Sequence, residues 1–246
     1  MEWLEDTQPR RYIPLDIGWF HSGADIMSSV PTTGVSDEFR EQLWRFGRMS
    51  SVLMVGTVEP RKGHEQALDA FELLWDQGVD ACLVIVGKEG WMVQRLATRI
   101  RHHVEAGKRL FWLESLSDEA LSALYEVVDG VLAASLGEGF GLPLVEAAQH
   151  GTSILARDIP VFQEVAAQFA TYFSGETPGQ LAAALKTWLE AIKSNAAVAS
   201  TGMRWKTWEG ATRDIVRLLE NRNDAGWLEH WMPKEPVHLT EREESG

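Results

Sequence analysis

The chain has 246 residues, 45% of them hydrophobic and 24% charged, a composition of globular rather than disordered proteins. The 36 acidic and 23 basic residues leave a net charge of -13, which excludes general affinity for nucleic acid, where phosphate neutralisation dominates. Any phosphate site must therefore be local, built from a few basic side chains and backbone N–H groups. The single cysteine, Cys82, cannot close an internal disulfide and sits in an apolar run, so a buried, inert thiol is expected. No apolar stretch reaches the roughly 18 residues that span a bilayer. The N-terminus lacks the pattern of a signal peptide, so the cytoplasm is the expected location.

In chain order, residues 1–48 repeat no strand–helix pattern. Met1–Arg11 is polar and expected to be mobile, Tyr12–Phe20 fits one short extended segment, and Ser36–Gly47 fits a helix capped by Ser36 or Asp37. From Ser51 the texture changes. Apolar runs at Ser51–Val55, Ala81–Val86, Arg109–Leu113, Gly130–Ala134, Ser153–Ala156 and Ala170–Phe173 read as strands. Helical patterns fall between them, at His64–Asp76, Trp91–Glu105, Asp118–Val128, Leu142–His150 and Val161–Gln168. This alternation predicts an α/β fold, a Rossmann-like parallel sheet with helices on both faces. Gly56 and Gly87 follow strands directly, where the chain turns at the edge that binds ligands in such sheets. Residues 178–195 and 205–221 read as further helices, the first with Leu181, Leu185, Trp188 and Leu189 on one face. A charged, proline-broken stretch closes the chain. The expected organisation is a linker or partial N-terminal segment over 1–48, a nucleotide-sugar-binding domain over 49–221, and a loosely packed tail over 222–246.

Two segments carry chemistry. Gly137-Glu138-Gly139-Phe140-Gly141-Leu142-Pro143-Leu144-Val145-Glu146 follows a predicted strand and opens a predicted helix. Glycines allow close backbone approach to a ligand, Pro143 suits a first helical turn, and a helix N-terminus attracts anions. Glu138 beside such a site would need hydrogen bonds from neutral hydroxyls, such as those of a sugar or ribose. A tight turn with a solvated glutamate would give the same residues. The second segment, Val58-Glu59-Pro60-Arg61-Lys62-Gly63, puts adjacent cations after the first predicted strand. A lone Arg-Lys pair is more often a solvated surface pair, but here both loops emerge at one sheet edge, where Arg61 and Lys62 can hold a diphosphate.

Together these segments resemble family 4, the "group 1" retaining glycosyltransferases of the GT-B fold, over about residues 51–221. The resemblance rests on Glu59-Pro60-Arg61-Lys62-Gly63, a strand ending at Gly87, Ser117-Asp118-Glu119, Glu138 and Glu146 around Gly-Phe-Gly, and Arg157-Asp158-Ile159-Pro160 with Glu164 downstream. Trp205–Leu219 is similar to the family's closing helix. The likeness is greatest to bacterial members that build polysaccharide or lipopolysaccharide, many of them mannosyltransferases. It implies a nucleotide diphosphate sugar as donor, GDP-mannose being the first guess, and neither a resident cofactor nor a metal. Arg61 and Lys62 would bind the diphosphate and stabilise the leaving group. Glu138 would hold hydroxyls of the transferred sugar, and Glu146 the ribose hydroxyls. The N–H groups of Phe140, Gly141 and Leu142, after Gly139, would complete the diphosphate cradle. Gly87, Lys88, Ser115 and Leu116 would border the nucleobase.

Other candidates point to structure. His102-His103 lacks a further ligand at metal spacing and reads as a solvated helix end. His64 is expected to cap its helix rather than border the site. Most of the 11 tryptophans are expected in the core. The chain departs from the family over residues 1–48, which are too short for the N-terminal, acceptor-binding domain. Tyr12–Ile17 and Phe20–Ile26 resemble the linker that enters the C-terminal domain. The resemblance thus implies a donor-binding half, inactive by itself, whose acceptor domain would be supplied in cis or in trans. The alternative is a non-catalytic nucleotide-sugar-binding subunit that needs a partner chain. In enzymes of this family the basic, membrane-facing surface usually belongs to the N-terminal domain, so the resemblance assigns this half no role at a membrane.

Overall fold

The structure, a computed structural model, describes residues 15–18, 20–25, 33–220 and 229–231. The polar stretch 1–11 lies outside the described residues. The chain divides into two compact units, one formed by Ala24–Lys206 and the other by Met1–Gly23 with Thr207–Gly246.

In the second of these, β1 (Leu15–Ile17) pairs antiparallel with β8 (Glu229–Trp231), Leu15 opposite Trp231. The extended segment near Tyr12–Phe20 is thus present, whereas β8 falls in the stretch expected to be a loose tail. The helix α8 (Trp208–Glu220) belongs to this unit as well.

Ala24–Lys206 opens with α1 (Asp37–Phe46), capped by Ser36, whose Oγ accepts from the Phe39 N–H at 3.2 Å. Strands and helices then alternate: β2 (Ser50–Val55), α2 (His64–Asp76), β3 (Ala81–Val86), α3 (Gln94–Arg101), β4 (Leu110–Leu113) and α4 (Asp118–Val127). They continue as β5 (Gly130–Ala133), α5 (Leu142–Gln149), β6 (Ser153–Arg157), α6 (Pro160–Ala166), β7 (Thr171–Phe173) and α7 (Pro178–Lys193). The six strands β2–β7 form one parallel sheet in the order β4-β3-β2-β5-β6-β7. Counted from the first strand of this sheet the order is 3-2-1-4-5-6, that of a doubly wound dinucleotide-binding sheet. The order reverses between β2 and β5, and ligands bind outside the C-terminal ends of strands at such a point.

Burial on both faces explains the unbroken apolar strands. Side chains alternate along β2. Val52 and Met54 join Leu83 and Ile85 of β3 in a core covered by α2, α3 and α7, with Phe71, Trp75, Leu185 and Trp188. Leu53, Val84 and Val86 face the opposite core, closed by α1, α4, α5 and α6, with Phe46, Tyr125, Leu144 and Phe162. The period of two in the strands and the apolar stripes of the helices therefore meet. Cys82 lies in the second core, and burial pushes its thiol up to about 12, so it stays protonated. The α7 start shows a full capping box: the Thr177 Oγ1 accepts from the Gln180 N–H at 3.3 Å, and Gln180 Oε1 accepts from the Thr177 N–H.

The structure differs from the sequence expectations in four further places. α1 folds with the sheet, and α8 falls outside it, unlike the boundaries 49–221. α3 is shorter than 91–105, because Met92 takes a left-handed backbone (φ 54) that breaks the helix ahead of Gln94. α6 stops at Ala166, where Ala167 has φ 42 and a 3-10 turn follows. Finally, of the tryptophans with described side chains, only Trp75 and Trp188 are buried, while Trp44, Trp91, Trp205 and Trp208 are exposed. Trp44 lies away from the inward side chains Phe39 and Phe46 of α1, with the Arg48 guanidinium over its ring. Helical position alone did not separate its inner and outer faces. Among the described residues no helix is long and apolar enough to cross a membrane.

Candidate functional site

Backbone packing first brings the loops together. After β2, the Gly56 N–H donates to the Val86 carbonyl at 2.9 Å, and the Val58 N–H to the Lys88 carbonyl at 2.9 Å. A Cβ on Gly87 (φ 147) would stand 2.1 Å from the Gly56 carbonyl oxygen, so only glycine permits this approach. The chain then makes a 3-10 turn at Pro60–Lys62 and enters α2 through Gly63 (φ 75), where a Cβ would lie 2.4 Å from the Ala134 carbonyl oxygen. On the other side of the switch point, the Leu136 N–H donates to the Arg61 carbonyl at 2.7 Å. The loop after β2 and the loop after β5 are thus pinned to each other.

This pinning unites three of the sequence-predicted residues. Glu138 Oε1 accepts from Lys62 Nζ and, at 2.8 Å, from Ser135 Oγ; Oε2 accepts from Arg61 Nη1 at 3.0 Å. Arg61 also donates to the Gly137 carbonyl at 3.1 Å and pairs with Glu59 at 3.1 Å. Burial alone would raise the Glu138 carboxyl. The bonds from Lys62, Ser135 and Arg61 outweigh it, and hold the group below the usual carboxylate range. In this structure two cations and one serine satisfy Glu138. Ser135 was not foreseen, although a serine between the strand and the glycines was there to be read.

A cavity beneath the Gly-rich loop is lined by Lys62, His64, Ser135, Glu138, Gly141 and the ends of β2 and β5. Gly141 (φ 96) sits under the Phe162 ring and begins α5 with no side-chain cap. Gly137 and Gly139 have no protein atom within 4 Å of a built Cβ, which leaves the face of the loop open. Phe140 and Leu142 pack against the core of that side.

His64 does not cap its helix. Gly63 is the cap residue and no side chain bonds there. The imidazole is buried, lines the cavity, and among the described residues has no hydrogen-bond partner at either ring nitrogen. Burial first, then the Lys62 charge, push it down to about 4, so it is neutral at pH 7. The left-handed Gly63 turns the chain so that the first helical residue points inward.

The remaining predicted residues stand at the same sheet edge without joining this cluster. Gly87 and exposed Lys88 follow β3, and exposed Ser115 and half-buried Leu116 follow β4. Glu146 lies one turn inside α5, where its Oε2 accepts from the Tyr125 hydroxyl at 2.7 Å and burial raises its carboxyl. Tyr125 is fully buried and stacked on His150, 5.5 Å away with rings 1° apart; nothing in the sequence marked it as a partner of Glu146. The Arg157-Asp158-Ile159-Pro160 segment supplies Arg157, which is buried and donates to the Ala134 carbonyl at 3.0 Å and the Gly175 carbonyl at 2.7 Å. It fixes the end of β5 rather than facing the cavity. His103 is not merely solvated either: Nε2 lies 2.8 Å from Glu72 Oε1, and the ring packs on Trp75.

A parallel sheet with this strand order, and with cations, glycines and an open helix start at its switch point, defines a Rossmann-like class of α/β fold. The chain belongs to the glycosyl transferases group 1 family, whose model matches residues 35–205. It is 48% identical over 200 residues to the serotype-specific mannosyltransferase WbdA of Escherichia coli, covering 81% of this chain and 24% of that protein. It is 28% identical over 188 residues to the phosphatidyl-myo-inositol mannosyltransferase of Mycobacterium tuberculosis, covering 72% of this chain and 48% of that one. The chain thus spans about a quarter of the length of the WbdA relatives it matches. The fold is similar to that of Anabaena HepE in complex with UDP-glucose, with a TM-score of 0.64 at 17% identity over 83% of this chain and 57% of that chain. It is also similar to sucrose-phosphate synthase from Thermosynechococcus elongatus, with a TM-score of 0.63 at 19% identity, covering 82% and 51% of the two chains.

Proposed function

We propose that this chain is the donor-binding domain of a retaining mannosyltransferase that takes GDP-mannose and acts in the cytoplasm in bacterial polysaccharide or lipopolysaccharide synthesis. The observation that carries the reading is the Arg61–Lys62–Glu138 cluster at the switch point of the sheet, beneath an uncapped helix start. The mannosyltransferase names of its relatives support the sugar. Their greater length supports an acceptor-binding domain in cis or in trans.

In this reading, Lys62 and Arg61 turn from Glu138 to the diphosphate of the donor. As the bond between the anomeric carbon and the β-phosphate oxygen breaks, negative charge grows on the phosphate, and cations placed beforehand stabilise that charge more than the ground state. The acceptor hydroxyl attacks from the face of departure and passes its proton to the departing β-phosphate oxygen, so the nucleoside diphosphate leaves and the anomeric configuration is retained. Glu138, released by the cations, accepts from hydroxyls of the transferred sugar near the anomeric carbon. Tyr125 holds Oε2 of Glu146, which leaves Oε1 for the ribose hydroxyls. The open N–H groups at the start of α5 add the partial positive charge of a helix N-terminus.

Titration of the purified chain with GDP, UDP and ADP by calorimetry tests this. Selective binding of GDP is expected, weakened about 10-fold or more in Arg61→Ala and in Glu146→Ala, each of which loses charge-assisted hydrogen bonds. Equal affinity for all three nucleotides, or affinity unchanged in both variants, would overturn the assignment.

A further inference from the structure

His64 occupies a position where an apolar residue would serve the fold. The buried face of α2 runs through His64, Ala67, Leu68, Phe71, Leu74 and Trp75, a stripe at helical spacing. Every member but the first is apolar. A polar ring in that place, 2% exposed and with no partner at Nδ1 or Nε2, is unfavourable for folding unless something bonds to it. The ring lines the cavity that also holds Lys62, Ser135, Glu138 and Gly141.

The surroundings select the kind of partner. Two helices start at this cavity, α2 after Gly63 and α5 after Gly141, and neither has a side-chain cap. Both therefore turn partial positive charge toward the space. Lys62 adds a full charge, which Glu138 balances until a ligand draws the lysine away from it. The imidazole itself stays uncharged, since burial and Lys62 both oppose its protonation. A neutral ring offers one N–H donor, which suits an anionic oxygen without bringing a third cation.

We propose that His64 contacts the ligand directly, donating one ring N–H to a single oxygen of the donor's diphosphate that enters the Lys62–Glu138 cavity, which has room for about one water-sized group, while the rest of the diphosphate stays outside it. This rests on the donor-binding reading above and adds to it a residue that neither loop motif contains. It makes the first turn of α2 part of the phosphate cradle, opposite the first turn of α5.

The test uses the purified chain with inorganic pyrophosphate and with GDP, by calorimetry, in wild type, His64→Leu and His64→Asn. Leucine continues the apolar stripe, so His64→Leu should fold, with a melting temperature no lower than wild type. Its affinity for both ligands should fall about 10-fold, the loss expected for one hydrogen bond to a charged group. His64→Asn, which keeps an N–H donor, should recover part of that affinity, and this recovery applies equally if the leucine variant fails to fold. In wild type, pyrophosphate should shift the His64 ring nitrogen resonances. If wild type binds GDP and His64→Leu binds it equally well, the His64 contact is wrong and the donor reading stands. If only GDP binding is lost while pyrophosphate binding is unchanged, His64 touches something other than the diphosphate and the inference falls. If wild type binds pyrophosphate through His64 but discriminates no nucleotide, the contact stands and the donor reading falls. Binding of neither ligand overturns both.

Discussion

His64 shows how one buried side chain can couple the site to stability. An imidazole ordinarily titrates at 6.5, and in the fold this one is pushed down to about 4. Between those values the unfolded chain takes up a proton that the folded chain refuses. Stability is then fully present above pH 6.5 and is lost as pH falls toward 4, by up to about 3 kcal/mol for a shift of this size. Glu138 acts in the same sense lower down: its carboxyl is held below the usual range, so its contribution is present at neutral pH and fades in acid. Urea denaturation at pH 7, 5.5 and 4.5 should show wild type losing more stability on acidification than His64→Leu. Parallel pH profiles for the two proteins would count against a buried neutral imidazole. Glu138 and Lys62, 76 residues apart, lie in two loops that the sequence places at one sheet edge, and the structure joins them in an ion pair that the sequence does not announce. The inward direction of His64 was also in the sequence, in its spacing from Ala67, Leu68 and Phe71, but the preceding glycine drew the reading toward a cap.

At the scale of elements, the glycines divide into two kinds. Gly87 and Gly63 hold loops at distances that no Cβ allows, 2.1 and 2.4 Å from carbonyl oxygens, and both have left-handed or related backbones. Gly139 meets no protein atom within 4 Å and has no such backbone. Gly87→Ala should therefore destabilise the chain by about 2 kcal/mol or more, through strain and displacement of Gly56. Gly139→Ala should stay within about 0.5 kcal/mol of wild type yet weaken nucleotide binding, because the added methyl enters the open face of the loop. Chemical denaturation and calorimetry on the two variants would check this, and a stability loss at Gly139 equal to that at Gly87 would contradict it. The elements themselves were largely legible. α2 starts and ends where its apolar stripe does, and every strand of the parallel sheet lies where a β-rich run was read. What sequence did not disclose were single-residue backbone states, Met92 and Ala167 in left-handed conformations that shortened α3 and α6. Ordinary residues seldom adopt them, so no composition marks the break. The side chain opposite Glu146 was hidden for a different reason: Tyr125 sits on another helix, and its approach follows from how α4 and α5 pack, which no spacing within either helix encodes.

For the whole molecule, strand order decides what the site requires. Val52 of β2 stands opposite Gly130 of β5, although α2, β3, α3, β4 and α4 lie between them in the chain. The Leu136 to Arg61 bond and the Lys62 to Glu138 pair repeat that separation. Contacts closing such long loops are late and slow to form compared with helices and neighbouring strands. Secondary structure can therefore recover before the two loops meet, and an intermediate rich in helix would still have no cradle for phosphate. On refolding from denaturant, the far-ultraviolet signal of helices should return ahead of the capacity to bind pyrophosphate, and binding should follow the slowest phase. Equal rates for both would mean that β2 and β5 pair at the outset. The site is in this sense a clock hand for the fold: with the proposed phosphate contact, pyrophosphate capture should mark the moment at which the sheet becomes continuous across its centre.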